Sequence, residues 1–267
     1  MAEDLRKRRK VGHCSRLIGV LMLLVGVARA QPDVSWPFAG TPLDLSAAGA
    51  HFFAASAPAH TASTLGGVLL VPDFGGHPGY PGAQRHLYEF LPKHGWTVLA
   101  CEPPATLPTP LRSAADWAKA GALLKPRIDA CLQWLDGQGL RNNIIIIQGH
   151  AGVALLSAYA GHWPDAVRGV ALLAPPHLAR HDNPMPDEIA QLPLPITLIY
   201  AHADLPGSDA CQACVDSANQ HHVALRRSFL AARDLQFSDL GDELAWLLLD
   251  WMKALEGQQI AVPSAKH

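Results

Sequence analysis

Ile144-Ile145-Ile146-Ile147-Gln148-Gly149-His150-Ala151-Gly152 is the stretch whose reading decides the fold. Four consecutive isoleucines carry no helical period and run into glycine, the pattern of a strand buried on both faces that feeds a tight turn. Val153 to Ala160 follows, small and apolar with good helix formers, and predicts a helix. Strand, glycine-flanked turn and helix in that order form one step of an alternating β and α chain.

The same alternation extends in both directions. Upstream, two short strands are expected around Leu43 to Leu45 and His51 to Ala55, then a buried strand over Gly66 to Pro72. A Gly/Pro-rich loop, Asp73 to Gly82, leads to a helix from Ala83 to His94, and Trp96 to Cys101 is the next strand. Pro103 to Pro110 makes a stiff extended loop, after which Ser113 caps a long helix ending near Asp136. Downstream, strands are expected at Val167 to Leu173, Ile196 to Ala201 and Val223 to Leu230, with helices near Ala210 to Gln220 and from Asp239 to Leu255. Such alternation implies right-handed crossovers: an α/β fold with a mostly parallel sheet and helices on both faces. Ligands in such sheets sit beyond the carboxyl ends of the strands. Only Pro176 to Pro193 leaves room for a lid, so no separate cap domain is expected.

The ends of the chain read differently from its middle. Arg6-Lys7-Arg8-Arg9-Lys10, the apolar run Leu17 to Ala28 and the small-x-small site Ala28-Arg29-Ala30 have the layout of a cleaved export signal over residues 1–30. The apolar run falls short of the ~20 residues that span a bilayer, so no stable membrane span is expected after cleavage. The domain then covers residues 31–256, and 257–267 reads as a flexible tail. Cleavage removes seven of the 21 Lys/Arg and two of the 23 Asp/Glu, leaving 14 basic and 21 acidic side chains and a net charge of −7. That balance argues against nucleic acid and an anionic membrane surface as partners, and the expected location is periplasmic or secreted. Export places the remaining cysteines in a disulfide-permissive compartment, where Cys211-Gln-Ala-Cys214 is expected to close a local disulfide. Cys101 and Cys131 are expected to be unbonded, because a helix rising ~1.5 Å per residue from near Ser113 would carry Cys131 well over ~20 Å from the strand end at Cys101.

Three stretches resemble the α/β-hydrolase superfamily. Gly66 to Gly76 resembles the strand and glycine-rich loop that supply half an oxyanion hole. Gly149 to Gly152 resembles the nucleophile elbow, whose usual form is Gly-x-Ser-x-Gly. His162-Trp-Pro-Asp-Ala-Val-Arg-Gly-Val-Ala-Leu-Leu-Ala174 resembles the helix-to-strand passage that follows the elbow. Leu70-Val-Pro-Asp-Phe-Gly-Gly-His77 with His94-Gly-Trp-Thr-Val-Leu99 is further similar to an uncharacterised bacterial family of exported α/β-hydrolase-like proteins, a likeness that brings no substrate with it.

Placed on this chain, the superfamily's catalytic roles are incomplete. The nucleophile slot holds Ala151, or Gly152 if the turn is shifted by one. The loop expected to carry the catalytic histidine, Ala231 to Asp239, has none, and the acid slot falls on Asp204, where a turn or capping aspartate is equally ordinary. Asp73 stands where the oxyanion loop would have a helpful dipeptide, and a carboxylate there opposes developing negative charge. A triad works as a unit, so the loss of its nucleophile and base predicts a pseudoenzyme that binds a small molecule or an envelope protein. Asp73, Phe74, Gly75, Gly76, His150, Ala151, Gly152 and Asp204 are the candidate ligand-binding residues. The alternatives are a hydrolase with an unorthodox or metal-assisted site and a structural envelope protein. His77, His150, His177 and His202 share one rim with Asp73 and Asp204, yet no ligand spacing beyond His202-Ala-Asp204 supports a metal site, and neither metal nor cofactor is expected. His150 is expected to pack beneath the turn, and Trp246 and Trp251 to pack the last helix onto the sheet.

Overall fold

The isoleucine run is the centre of an eight-stranded sheet. The computed structural model describes residues 39–107, 111–178, 182–201 and 211–260, with side chains to residue 256. The expected signal segment 1–30, His202 and Asp204 lie outside these residues. The strands are β1 (Thr41–Ala47), β2 (Ala50–Ala57), β3 (Gly66–Val71), β4 (Trp96–Cys101), β5 (Asn143–Gln148), β6 (Val167–Leu173), β7 (Ile196–Ala201) and β8 (Leu225–Leu230). They lie in the order β1-β2-β4-β3-β5-β6-β7-β8. β1 pairs antiparallel with β2 and β2 with β4, and all further pairings are parallel.

Alternation along β5 explains the four isoleucines. Ile145 and Ile147 enter one core with Leu69, Val71, Leu99 and Leu172, beneath α2 (Ala114–Gly137), α3 (Gly149–Tyr159), α4 (Met185–Ala190) and α5 (Gln212–Gln220). Ile144 and Ile146 enter the other with Val68, Leu70, Val98 and Leu173, beneath α1 (Ala83–Phe90) and α6 (Gly241–Ile260). A strand covered on both faces has no polar side to show, and hence no alternation in its sequence. Each fully buried branched side chain contributes on the order of 1.5–3 kcal/mol of apolar transfer.

Several boundaries differ from the sequence reading, each for a local reason. β1 and β2 are longer than expected and join through Ala48 and Gly49, both at positive φ (50° and 79°), in a tight hairpin. The expected helix from Ala83 ends at Phe90 and tightens to a 3₁₀ turn over Leu91–His94, closed by Gly95 at φ 91°. α3 begins at Gly149 rather than near Val153, because the sharp turn is concentrated at Gly149, with φ 61°. α4 forms within the lid stretch, where no helix was expected, and no separate cap domain stands over the sheet among the described residues. α6 continues to Ile260, past the expected end at Leu255 and into the expected tail. Trp251 packs onto the sheet as expected, whereas Trp246 is 54% exposed and meets Phe90 and His94 edge-on.

Cys211 and Cys214 are disulfide-bonded, their Cα atoms 5.1 Å apart at the start of α5. Cys101 and Cys131 are free and buried in one core, but the expected separation is wrong: Arg127, one turn before Cys131, reaches the carbonyl of Glu102 next to Cys101. The expectation assumed that α2 starts beside the strand end. The chain first leaves the sheet through the loop after Cys101, and α2 is 24 residues long, ~36 Å against ~20 Å for a six-residue strand. Its first half packs on α3 at Gly121, and only further along does it reach the end of β4, where Arg127 meets the Glu102 and Pro103 carbonyls one turn before Cys131.

No described helix is long and apolar enough to cross a membrane.

Candidate functional site

β3 is the switch point of the sheet. Its neighbours are β4 on one side and β5 on the other, so the chain leaves it in one direction and later returns in the other. The crevice of an open α/β sheet lies beyond the strand ends at such a point. Three chain ends meet there: Asp73 after β3, Glu102 after β4 and His150 after β5.

Asp73 is the hub. Its Oδ1 accepts from the Ala151 backbone N–H at 2.9 Å and from the Phe74 N–H at 2.9 Å, and its Oδ2 pairs with His150 Nδ1 at 3.1 Å. A carboxylate only accepts, so Nδ1 carries the proton and Nε2 faces away from Asp73. The residue that would ordinarily cap α3, Gln148, instead donates from Nε2 to the Leu235 carbonyl at 2.7 Å and makes no cap. Asp73 therefore caps α3 from another strand, placing negative charge at the positive end of the helix. Gly149 makes the approach possible, since a Cβ there would run into the Asp73 carboxylate. An anion-binding helix start, the place where a hydrolase would gather a developing oxyanion, is filled by the protein's own carboxylate.

Ala151 is fully buried and belongs to the same core as Ile147 and Leu172, with Phe74 and Leu178 packed against that core. Gly152 is buried too, and a Cβ on it would meet the Leu172 side chain at 2.9 Å, so it faces β6. Gly75 and Gly76 are held in the loop by their backbone N–H groups. Gly76 N–H donates to the Asp73 carbonyl at 2.8 Å, and Gly75 N–H donates to the Pro104 carbonyl at 3.1 Å.

His150 departs from expectation: it does not pack beneath the turn. Its side chain is 40% exposed, that of Asp73 36%, and its ring lies parallel to Trp117 at 6.2 Å. Trp117 Nε1 in turn donates to the Asp182 carbonyl at 3.1 Å, tying the start of α2 to the lid stretch. His77 sits at the same rim, stacked on Phe53 at 4.9 Å, with Nδ1 accepting from the Gly79 N–H at 3.0 Å. Burial pushes the His77 pKa down, and the nearby Glu102 carboxylate offsets part of that shift. Glu102 also accepts from the Phe53 N–H at 3.3 Å, while Arg127 donates to the Glu102 and Pro103 carbonyls at 2.9 and 2.8 Å. Glu102, Trp117 and Arg127 were not singled out from the sequence. The signal for Glu102 was its place directly after a strand, while Trp117 and Arg127 arrive from α2 and leave no local mark.

Among the described residues, no three His, Cys, Asp or Glu side chains converge closely enough to hold a metal ion. The described residues form cavities of about 330 and 560 Å³. One lies between His86 and Asp242 at the start of α6, and the other between Asp136, Arg141 and Arg168 at the amino ends of the strands.

Comparison with known proteins places this geometry. A family model described as a protein of unknown function, DUF3530, matches residues 43–126, less than half of the chain. No curated protein matches. Among solved structures, the chain is similar to a dienelactone hydrolase from Anabaena variabilis, at 21% identity and a TM-score of 0.60, over 80% of this chain and 97% of that one. It is also similar to the esterase domain of a Rhodothermus marinus protein (14% identity, TM-score 0.55, 80% and 98% covered). A proline iminopeptidase from Mycobacterium smegmatis is a third (10% identity, TM-score 0.60, 82% and 100% covered). At these identities the likeness is one of fold, and the chain has the α/β-hydrolase fold.

Proposed function

We propose that this α/β-hydrolase-fold chain is an exported, non-catalytic protein of the cell envelope that acts by holding a partner and performs no turnover. The observation that carries the reading is the Asp73 carboxylate bound to the Ala151 N–H at the start of α3. With that carboxylate in place, the helix start has no positive character left for an oxyanion, and the adjoining methyl of Ala151 offers no nucleophile. The elbow is retained for its packing: Ala151 and Gly152 are buried, and Phe74 and Leu178 lean on the same core. A closed elbow favours a protein partner on the outer surface over a small molecule above Ala151. The export pattern of residues 1–30 and the Cys211–Cys214 disulfide support an oxidising compartment.

The exposed Asp73–His150 pair supports one rival reading. An imidazole oriented by a carboxylate is half of a hydrolytic site, and with its Nε2 free it could draw a proton from water. Hydrolysis of short p-nitrophenyl esters by the purified mature protein separates the two, with Asp73→Asn plus His150→Ala as the matched control. No turnover above the control is expected. Turnover that disappears in the double variant would replace the non-catalytic reading with a water-activating dyad.

A further inference from the structure

We propose that Cys101 and Cys131 close a second disulfide, a covalent staple between the end of β4 and the middle of α2 that forms as the chain folds. Both side chains are fully buried in one core with Leu99, Ile128 and Leu132, and each thiol lies in the electrostatic reach of the other. Their proximity is held independently. One turn before Cys131, Arg127 spans the same gap, with Nη1 on the Glu102 and Pro103 carbonyls and its guanidinium 5.0 Å from the centre of the Phe52 ring. The register of α2 against β4 is thereby fixed beside the two thiols. Beyond residue 30 the chain has four cysteines, two of them joined at Cys211–Cys214, and the other two are each other's neighbours. Pairing of all four is what an oxidising compartment produces.

Closure oxidises two thiols to one disulfide. A thiolate of the pair attacks the disulfide of a thiol–disulfide oxidoreductase to give a mixed disulfide. The second cysteine then attacks its sulfur, the S–S bond forms, and the oxidant leaves as a dithiol carrying the two electrons and two protons. Burial raises the Cys131 pKa well above the ordinary thiol range, which keeps it unreactive once the core has closed, so the bond forms before α2 docks fully. A loop of about 30 residues is then closed in the unfolded chain, the source of a staple's stabilising effect in the chain-entropy description.

Oxidative refolding tests this without reliance on export. Reduced, denatured mature protein is refolded in a mixture of reduced and oxidised glutathione, its thiols are blocked, and an unreduced digest is mapped. The expected result is a linked peptide joining Cys101 to Cys131, in the wild type and in a Cys211→Ser plus Cys214→Ser variant, with no alkylated cysteine in the wild type. Alkylation of both Cys101 and Cys131 in refolded protein whose Cys211–Cys214 bond has closed would overturn the proposal, as would cross-pairing with Cys211 or Cys214. The same map on protein recovered from exporting cells shows which reading fails. An open inner pair beside a closed outer pair counts against the staple. Two open pairs count against export, and the refolding result still decides the staple.

Discussion

Gly149 carries two constraints at once. Its φ of 61° lies in the left-handed region, where a Cβ costs on the order of 1–2 kcal/mol, and the same Cβ would displace the carboxylate that caps α3, a contact worth about 1 kcal/mol. Gly149→Ala is expected to lower stability by about 2–3 kcal/mol in a urea titration. A loss under about 1 kcal/mol would show that Asp73 does not hold the helix start. That position 151 holds alanine is a fact of residue type and was legible in the sequence. The role of Asp73 was not, because its partner lies 78 positions away and only the adjacency of β3 and β5 brings the two together. Glu188 adds a prediction in pH. Burial raises its pKa, the Ser157 hydroxyl partly offsets this, and Asp187 adds to it. A carboxyl whose folded pKa lies above its unfolded value contributes stability below the unfolded pKa, near 4.5, and loses it as pH rises through the folded one. Glu188→Gln should therefore raise the melting temperature at pH 7 and leave it unchanged near pH 4. An equal effect at both pH values would show that packing, not charge, sets its cost.

α2 and α3 meet at a small-residue contact. A Cβ on Gly121 would lie 2.7 Å from the Ala154 carbonyl oxygen and 3.0 Å from the Ala158 nitrogen, both backbone atoms that cannot turn aside. Gly121→Ala is expected to push the helices apart and to cost about 1–3 kcal/mol despite the better helix propensity of alanine. A stabilised variant, read by thermal melting, would mean that the pair has slack. Elements were readable where burial is uniform: Trp96–Cys101, Val167–Leu173 and Ile196–Ala201 were placed to the residue because each is an apolar run bounded by turn formers. α4 was missed because six residues with Pro186 inside them carry too little period to register. The error over Cys101 and Cys131 has a similar origin. Helix length along the chain was legible, but the point from which α2 starts depends on the loop after Cys101, and that path is a tertiary property.

The two cores share one wall. Every interior strand gives alternate side chains to each of them, so a displaced strand is expected to disturb both at once. The neighbouring residues Ile146 and Ile147 test this directly, since the first belongs to the core under α1 and α6 and the second to the core under α2 and α3. Ile146→Ala and Ile147→Ala each leave a cavity and are expected to cost about 2–5 kcal/mol. If the sheet couples the cores, both variants shift a single unfolding transition, with near- and far-ultraviolet circular dichroism coincident in each. A variant that lost near-ultraviolet signal from its own side while the rest melted later would divide the molecule into two folding units. A coupled sheet also bears on the proposed function. A fold held together through its centre can vary the residues at its rim and keep a rigid outer surface, because Ala151 acts on stability through its packing and the Asp73 cap.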